Sequence, residues 1–324
     1  MQVKKQKILF RADSSFDIGV GHIMRDLVLA KEFEHAQIFF ATRNLLGNIN
    51  YKIEEQKYNV ELLESNDIKE VIELINRYDI DMIVIDSYDI DYYYEKELKE
   101  RVNIEIFVID DTYERHHCDI LLNHNIFADK SKYQTLVPSY CELRCGVEYT
   151  LLRDEFLYIN IKKRDISDID RLKVFVAMGG ADSKAMNLKI LEQIKDLDVE
   201  IEVVTTSANV NLQQLQNYVK DLGKINVNID SNSLVKIIES CDIALVTPSV
   251  IVNEIIFCKI PFIAIKVAEN QDEMYSFLKE KGFYVLISKN LYQLKNYIAD
   301  ISKTYNYKKQ VCIIEKIIEK RLLE

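Results

Sequence analysis

The stretch KILFRADSSFDIGVGHIMRDLVLAKEFEHAQIFFAT, residues 7–42, decides the fold. It opens with the β-rich run KILFRA (7–12), passes through a turn that contains Gly19 and Gly21, and ends in a second β-rich run, AQIFFAT (36–42). A helical pattern fills the space between the turn and the second run. Strand, turn, helix and strand in this order are typical of a parallel βαβ unit. The stretch therefore predicts an α/β fold built on a parallel sheet.

The same alternation of strands and helices continues along the whole chain. Further strands are predicted at 81–86, 104–110, 119–123, 172–178, 201–206, 224–230, 242–247 and 261–267. The charged segment INIKKRDISDIDR, residues 159–171, lacks a strand pattern and predicts a boundary between domains. We expect two Rossmann-like domains, residues 1–160 and 170–324, with a cleft between them. The chain should end in an amphipathic helix whose apolar residues are Val311, Ile314, Ile317, Ile318 and Leu322.

The composition narrows the class of protein. A chain of 324 residues fits two domains of about 150 residues each, and 48% hydrophobic residues exclude a disordered chain. A net charge of -10 argues against nucleic acid and anionic membranes as partners, because both attract basic surfaces. No apolar run approaches the roughly 20 residues of a membrane span, so we expect a cytoplasmic protein. The six scattered cysteines are expected to be reduced thiols, with Cys141 and Cys145 structural.

The turn after the first strand carries the first candidate site. Gly19 and Gly21 permit close backbone approach, and the free amides at a helix start attract phosphate or sugar oxygens. His22 would project into the same space, where its neutral form suits a general base. The alternative is a plain glycine turn with a histidine at a helix start. Asp13 and Asp17 could orient the ring or a water molecule, although Asp17 fits a turn residue better.

Other acids follow predicted strands, where the carboxyl ends of parallel strands meet the binding crevice. These are Asp86 and the pair Asp110 and Asp111. A superficial cluster of metal ligands follows them, consisting of His116, His117, Cys118 and His124. Adjacent residues on an extended segment point to opposite faces, so they cannot all converge on one ion. We therefore expect no metal site and no cofactor.

Two loops of the second half suit a nucleotide diphosphate. Gly179 and Gly180 end one predicted strand and precede a helix. Ser249 follows a later strand as a natural N-cap, and Glu254 lies one helical turn further on, where its carboxylate suits the two hydroxyls of a ribose. A structural cap would explain Ser249 nearly as well. We expect the second domain to hold the nucleotide and the first domain to supply the chemistry.

Five blocks in order carry a resemblance to a known family: RADSSFDIGVGHIMRDLVLAKEF, HHCDILLNHN, LVPSYCELRCGVEYTLLRDEF, VAMGGAD and PSVIVNE. The chain resembles the UDP-2,4-diacetamido-2,4,6-trideoxy-β-L-altropyranose hydrolases of pseudaminic acid biosynthesis. The resemblance covers most of the chain. It implies a metal-independent relative of the GT-B glycosyltransferases, with UDP bound in the C-terminal domain.

The resemblance also implies roles for individual residues. His22 corresponds to the family's catalytic histidine, which would activate water for attack at the sugar C1 with inversion. Gly179, Gly180, Ser249 and Val250 would hold the pyrophosphate, and Asn253 and Glu254 would hold the ribose. Asn270 and Gln271 match a loop that faces the donor sugar in such enzymes. From the residues themselves, we also expect Gly19, Gly21 and Arg25 to bind the substrate and Asp13 to assist His22.

Three other functions remain open at this stage. A GT-B glycosyltransferase would use the same histidine to deprotonate an acceptor hydroxyl instead of water. A sensor would bind UDP-sugar without turnover. A hydrolysing 2-epimerase would change the configuration at C2, so analysis of the product would separate it from a simple hydrolase.

Overall fold

The computed structural model describes residues 5–157, 166–231 and 233–322. The chain divides into two compact units, Met1–Leu151 and Leu152–Glu324. The division falls a few residues before the expected boundary segment, 159–171. Residues 159–165 of that segment lie outside the described residues, and the remainder contains a short 3-10 helix at Ile166–Asp168.

The first unit contains seven strands, four α-helices and two 3-10 helices among its described residues. The strands are β1 Lys7–Ala12, β2 Gln37–Arg43, β3 Asn59–Leu63, β4 Met82–Asp86, β5 Glu105–Ile109, β6 Ile120–Asn123 and β7 Glu142–Cys145. The α-helices are α1 Gly21–Glu32, α2 Asn50–Glu55, α3 Ile68–Tyr78 and α4 Tyr92–Arg101. One of the 3-10 helices follows β6 at Lys130–Tyr133, and another, Val147–Tyr149, follows β7.

All seven strands of the first unit pair in parallel in the order β3-β2-β1-β4-β5-β6-β7. The central strands are buried along their length because helices cover both faces of a parallel sheet. One core cluster lies on each face, with Phe10 and Phe40 stacked in one and Leu9 and Ile83 in the other. The strand order reverses between β1 and β4.

The second unit repeats this architecture. Its strands are β8 Leu172–Ala177, β9 Val199–Thr205, β10 Ile225–Ile229, β11 Ile243–Val246, β12 Phe262–Lys266 and β13 Tyr284–Ile287. Its α-helices are α5 Asp154–Leu157, α6 Met186–Ile194, α7 Leu212–Val219, α8 Leu234–Ser240, α9 Val250–Phe257, α10 Asp272–Lys281, α11 Leu294–Ile301 and α12 Thr304–Leu322. Short 3-10 helices lie at Glu269–Gln271 and Ser288–Gln293.

The six strands of the second unit are also parallel, in the order β10-β9-β8-β11-β12-β13. The strand order reverses here between β8 and β11. The C-terminal helix α12 packs on α9 and α11 of the same unit. Ile314, Ile317 and Ile318 are buried as the sequence pattern predicts.

All ten predicted strands are present, and the prediction of two parallel α/β sheets is confirmed. Three strands were missed, namely β3, β7 and β13. Each of them is an edge strand with largely half-exposed or exposed residues. An edge strand needs no continuous apolar run, so its sequence carries a weak signal. Among the described helices, none is both long and apolar enough to cross a membrane.

Candidate functional site

Both sheets place the candidate residues beside the point where the strand order reverses. In a parallel sheet, the loops that leave two neighbouring strands in opposite directions open a crevice at this point, and ligands bind there. In the first unit, the crevice lies between the ends of β1 and β4. In the second unit, it lies between the ends of β8 and β11.

The side chain of His22 is fixed by a carboxylate from across this reversal point. His22 is the second residue of α1, and Asp86 is the last residue of β4. The distance from Nδ1 of His22 to Oδ1 of Asp86 is 2.7 Å, and both side chains are buried. Burial would raise the pKa of Asp86, but the charges of Arg25 and His22 outweigh it and hold the pKa well below its usual range.

Because Asp86 is ionised, it can only accept a hydrogen bond from His22. An uncharged His22 ring therefore carries its proton on Nδ1, which leaves a lone pair on Nε2. A carboxylate in this position also stabilises the imidazolium that forms when Nε2 takes up a proton. The pair has the geometry of a general base with its orienting acid.

Arg25 lies one helical turn after His22 and ties Asp86 to a second acid. Its Nε atom donates to Oδ2 of Asp86 at 2.6 Å, and its second terminal nitrogen donates to Oδ1 at 2.5 Å. Its first terminal nitrogen donates to Asp111 at 2.8 Å. The guanidinium is buried, and its second terminal nitrogen also lies 3.2 Å from Nδ1 of His22. Its expected contact with the sugar stays a prediction.

Tyr88 covers one side of the His22 ring. The two rings meet edge to face with centroids 4.9 Å apart, and the Tyr88 hydroxyl donates to Asp111 at 2.8 Å. The hydroxyl thus joins the tyrosine to the network formed by Arg25 and Asp86. Burial and the Asp111 charge raise the pKa of Tyr88, so the hydroxyl stays protonated.

Asp13 occupies a different network from the one the sequence suggested. Its carboxylate accepts from Arg11 at 2.8 Å and from Nε of Arg43 at 2.9 Å. Burial opposes ionisation, but these arginines lower the pKa of Asp13. The role of orienting the His22 ring, which we expected for Asp13 or Asp17, belongs to Asp86. A part for Asp13 in proton transfer stays a prediction, and Asp17 lies in a turn as expected.

The glycine turn between β1 and α1 is open. Gly19 has a φ of +84°, a conformation that favours glycine, and neither Gly19 nor Gly21 has a neighbouring atom where a Cβ would stand. Helix α1 begins after Val20 with no side-chain cap and no acid in its first turn. The first amides of the helix are therefore uncapped by a side chain, which suits an anionic or hydroxyl ligand.

The residues that resembled a metal cluster are dispersed. Nδ1 of His116 pairs with the buried carboxylate of Glu95 at 2.7 Å, and Nε2 faces Asp110 at 3.9 Å. The Cys118 thiol instead lies 3.6 Å from the Cys141 sulfur. Within the described ranges, no group of three or more His, Cys, Asp or Glu side chains could hold an ion.

The first nucleotide loop of the second unit follows β8. Gly179 has a φ of +90° and open space around it. A Cβ on Gly180 would stand only 3.0 Å from Thr206, whose hydroxyl donates to the Gly180 carbonyl at 3.1 Å. Asp182 then caps the start of α6 by accepting from Met186 at 2.6 Å. The loop is tightly held and turns at the carboxyl end of a central strand.

The second loop follows β11. Ser249 occupies the N-cap position of α9 as predicted, but its hydroxyl lies 2.9 Å from that of Thr247 and makes no bond to the helix. The half-buried Val250 begins the helix. The first amides of α9 are thus uncapped by a side chain, as a bound phosphate would require. Asn253 is fully buried, and neither of its side-chain amide atoms has a hydrogen-bond partner among the residues that the structure describes.

Glu254 is held by a residue that the sequence did not suggest. Arg153 donates to its carboxylate from Nε at 2.9 Å and from a terminal nitrogen at 2.8 Å. Burial raises the pKa of Glu254 against the opposing charge of Arg153. Both nitrogens contact the same oxygen, Oε1, and so hold that side of the carboxylate in place.

The last predicted pair lies after β12. Asn270 is exposed, whereas Gln271 accepts hydrogen bonds from the amides of Val267 at 2.8 Å and Ala268 at 3.3 Å. The carbonyl oxygen of Gln271 therefore closes this loop. The expected contacts of both side chains with the sugar stay predictions.

Sequence reasoning missed Tyr88 and Arg153, and it recognised Asp86 without assigning its partner. Asp86 ends an apolar strand, and strand ends of this kind are visible in a sequence. The distance of 64 residues to His22 hides the pairing, since it depends on β1 and β4 being neighbours. Tyr88 and Arg153 lie in loops, where neither hydrophobic periodicity nor composition shows which residues belong to a site.

Comparisons with known proteins identify the family and the fold. The chain is 38% identical over 279 residues to the UDP-2,4-diacetamido-2,4,6-trideoxy-beta-L-altropyranose hydrolase of Campylobacter jejuni, and the match spans 86% of this chain and 98% of that protein. No family model matches the chain.

Solved structures show the same fold at low identity. A UDP-glucosyltransferase from Polygonum tinctorium aligns with a TM-score of 0.67 at 10% identity and covers 98% of this chain and 94% of its own. MurG of Acinetobacter baumannii aligns with a TM-score of 0.61 at 11% identity and covers 96% and 99%. The fold is that of the GT-B glycosyltransferases, as expected. The sequence match adds the family: this chain is an enzyme of the UDP-2,4-diacetamido-2,4,6-trideoxy-β-L-altropyranose hydrolase family.

Proposed function

We propose that the enzyme hydrolyses UDP-2,4-diacetamido-2,4,6-trideoxy-β-L-altropyranose to UDP and the free sugar, as a step of pseudaminic acid biosynthesis. The observation that carries the proposal is the 2.7 Å contact between His22 and Asp86 at the reversal point of the first sheet. The likeness to the Campylobacter jejuni hydrolase supports the choice of substrate.

In the proposed reaction, Nε2 of His22 takes a proton from water while the water oxygen forms a bond to C1 of the sugar. The bond between C1 and the β-phosphate oxygen breaks, and its electron pair leaves with UDP. Attack opposite to the leaving group inverts the anomeric carbon. Asp86 holds the ring in the required tautomer and stabilises the imidazolium.

In the same proposal, UDP is the ligand of the second unit. The uncapped amides of α9 and the loop at Gly179 and Gly180 bind the pyrophosphate, which stabilises the charge that develops on the leaving group. Glu254, already oriented by Arg153, accepts hydrogen bonds from the ribose hydroxyls. Such stabilisation of the leaving group requires no metal ion.

A GT-B glycosyltransferase is the second candidate, because the UDP-glucosyltransferase from Polygonum tinctorium shares this fold. In that reaction, His22 would take the proton from an acceptor hydroxyl in place of water. The two functions differ in the need for an acceptor.

The test measures UDP release from a panel of UDP-sugars that includes the diacetamido-trideoxy-altrose compound, with and without EDTA, for the wild type and His22→Asn. We expect release of UDP and free sugar by the wild type alone, with no effect of EDTA and no change at C2. The His22→Asn variant should keep its affinity for UDP and lose about 10²- to 10⁴-fold in turnover. UDP binding without release, unless an acceptor is added, would favour the glycosyltransferase.

A further inference from the structure

A second buried carboxyl group lies beneath the pair formed by His22 and Asp86. Asp26 stands four residues after His22 in α1, so both side chains leave the same face of the helix. The Asp26 side chain is completely buried. The charge of Asp86 acts on this carboxyl group, which stands one helical turn from the His22 ring that contacts Asp86.

Asp26 has no donor of its own. Among the described side chains and backbone, neither of its oxygens accepts a hydrogen bond. Asp86, in contrast, accepts from His22 once and from Arg25 twice. Two buried carboxylates whose charges act on each other do not readily both remain ionised, and a proton on one of them can turn the repulsion into a hydrogen bond.

Asp86 accepts more hydrogen bonds than Asp26 does, and this difference decides which of the two carboxyl groups carries the proton. Asp86 is stabilised as an anion by three donated hydrogen bonds, whereas an ionised Asp26 would be a buried charge without a partner. We propose that Asp26 is a neutral carboxylic acid that donates its proton to Asp86 and so positions the carboxylate against Nδ1 of His22. Burial and the charge of Asp86 also raise the pKa of Asp26 well above its usual range.

The neighbours of the pair complete its charge balance. The charged or titratable groups around it are Arg25, Asp111, Tyr88 and His124. Tyr88 is protonated, and burial together with the Arg25 charge lowers the pKa of His124 to about 4, so both are uncharged near neutral pH. With Asp26 neutral as well, Asp86 and Asp111 face Arg25 alone. The net charge of Asp86, Asp111 and Arg25 near His22 is then -1, whereas an ionised Asp26 would make it -2.

The role of Asp26 deepens the proposed function, since it acts on the base of that reaction. The first measurement needs no substrate and therefore does not depend on that function. It follows the His22 ring by NMR during a pH titration of the wild type, Asp26→Asn and Asp111→Asn. Asp26→Asn should leave the midpoint where it is, because one neutral group replaces another. Asp111→Asn removes a charge from the network of Arg25 and Tyr88 and should move the midpoint to lower pH.

The second measurement compares turnover in Asp26→Asn and Asp26→Leu. The asparagine amide can still donate to Asp86, so kcat should stay within about fivefold of the wild type. Leucine removes the donor, and kcat should fall about tenfold to a hundredfold at little change in KM, because Asp86 loses a hydrogen bond. Infrared difference spectra of wild type against Asp26→Asn should also show the carbonyl band of a protonated acid at neutral pH.

Two results would overturn the proposal. A downward shift of the His22 midpoint in Asp26→Asn that matches Asp111→Asn would show that Asp26 is an anion. Unchanged kcat in a folded Asp26→Leu would show that Asp26 only fills space, since an apolar side chain replaces an unpaired buried polar group at no cost. If Asp26→Leu does not fold, the titration and the infrared band still show whether Asp26 is protonated. A wild type that releases no UDP would contradict the proposed function, but the titration would still test the protonation of Asp26.

Discussion

Nδ1 of His22 lies 2.7 Å from Oδ1 of Asp86, although the two residues are 64 positions apart in the chain. The contact exists because β1 and β4 are neighbours in the sheet and their last residues, Ala12 and Asp86, are in register. The helix that follows β1 then returns His22 over the end of β4. Orientation of the base is thus a property of the strand order.

Asp86→Asn should lower kcat by about a hundredfold or more, because an asparagine amide can donate to Nδ1 and favour the wrong tautomer of His22. Affinity for UDP should change little, since the nucleotide loops belong to the second unit. Steady-state kinetics and calorimetric UDP binding would check both. Asp89→Asn is the matched control, because Asp89 is exposed and pairs with Arg43. Equal kcat in Asp86→Asn and the wild type would refute the role of this carboxylate.

Glu254→Gln should weaken UDP binding by about tenfold or more, since a charged acceptor for the ribose hydroxyls is lost. Turnover at saturating substrate should fall less, because the ribose is remote from the reacting bond. Glu280→Gln changes an exposed acid on α10 and should leave UDP affinity unchanged. Calorimetry with UDP and with uridine tests the contact. An unaltered affinity for both would show that Glu254 only serves as the partner of Arg153.

Gly179→Ala should destabilise the second unit and weaken UDP binding together. Gly179 has a φ of +90°, which costs an alanine roughly 1–2 kcal/mol. Relief of this strain would move the loop at the end of β8 away from its ligand geometry. Gly223→Ala is the control, because Gly223 has open space and no positive φ. Thermal unfolding and UDP titration should separate the two variants, and identical behaviour would contradict the proposed role of the loop.

His116→Gln should destabilise the protein at pH 6 far more than at pH 10. Burial alone would lower the pKa of His116, but Asp110 and Glu95 raise it to about 9. A raised histidine pKa contributes stability fully below about pH 6.5, the unfolded value, and this contribution is lost as pH rises through about 9.

The loss for His116→Gln at pH 6 should be about 3 kcal/mol from the size of that shift. The pKa of Asp110, lowered to about 2, describes part of the same contact and is not added to it. Denaturant unfolding at both pH values measures the difference. The exposed His35→Gln is the control and should show no such pH dependence. A loss of equal size at both pH values would mean that His116 is uncharged.

Much of the fold was predictable because central parallel strands are buried on both faces. Runs such as ILFRA and MIVID leave little choice of structure. Strands β3, β7 and β13 were not predictable, since one side of each is free of neighbours and its residues are half exposed. Hydrophobic periodicity cannot reveal a strand that buries few apolar side chains.

Site residues could be predicted only where the neighbouring sequence marks them. His22 follows two glycines at a helix start, and Ser249 precedes a helix, so the sequence marks both as candidates. Asp13 and Asp17 were the candidates for orienting the His22 ring, whereas Asp86 contacts that ring in the structure. Asp26 and Tyr88 matter only through what the sheet brings next to them. Such contacts follow from strand order, which periodicity does not determine.

The register of β1 against β4 therefore has a chemical meaning. Successive residues of a strand point to opposite faces, so a slip by one position would turn Asp86 to the other side of the sheet. His22 would keep its helix, its glycines and its surroundings, yet its ring would lose the acceptor that sets its tautomer. The same slip would exchange the two core faces of β4, Met82 and Val84 on one side and Ile83 and Ile85 on the other, so one register serves both the core and the orientation of His22.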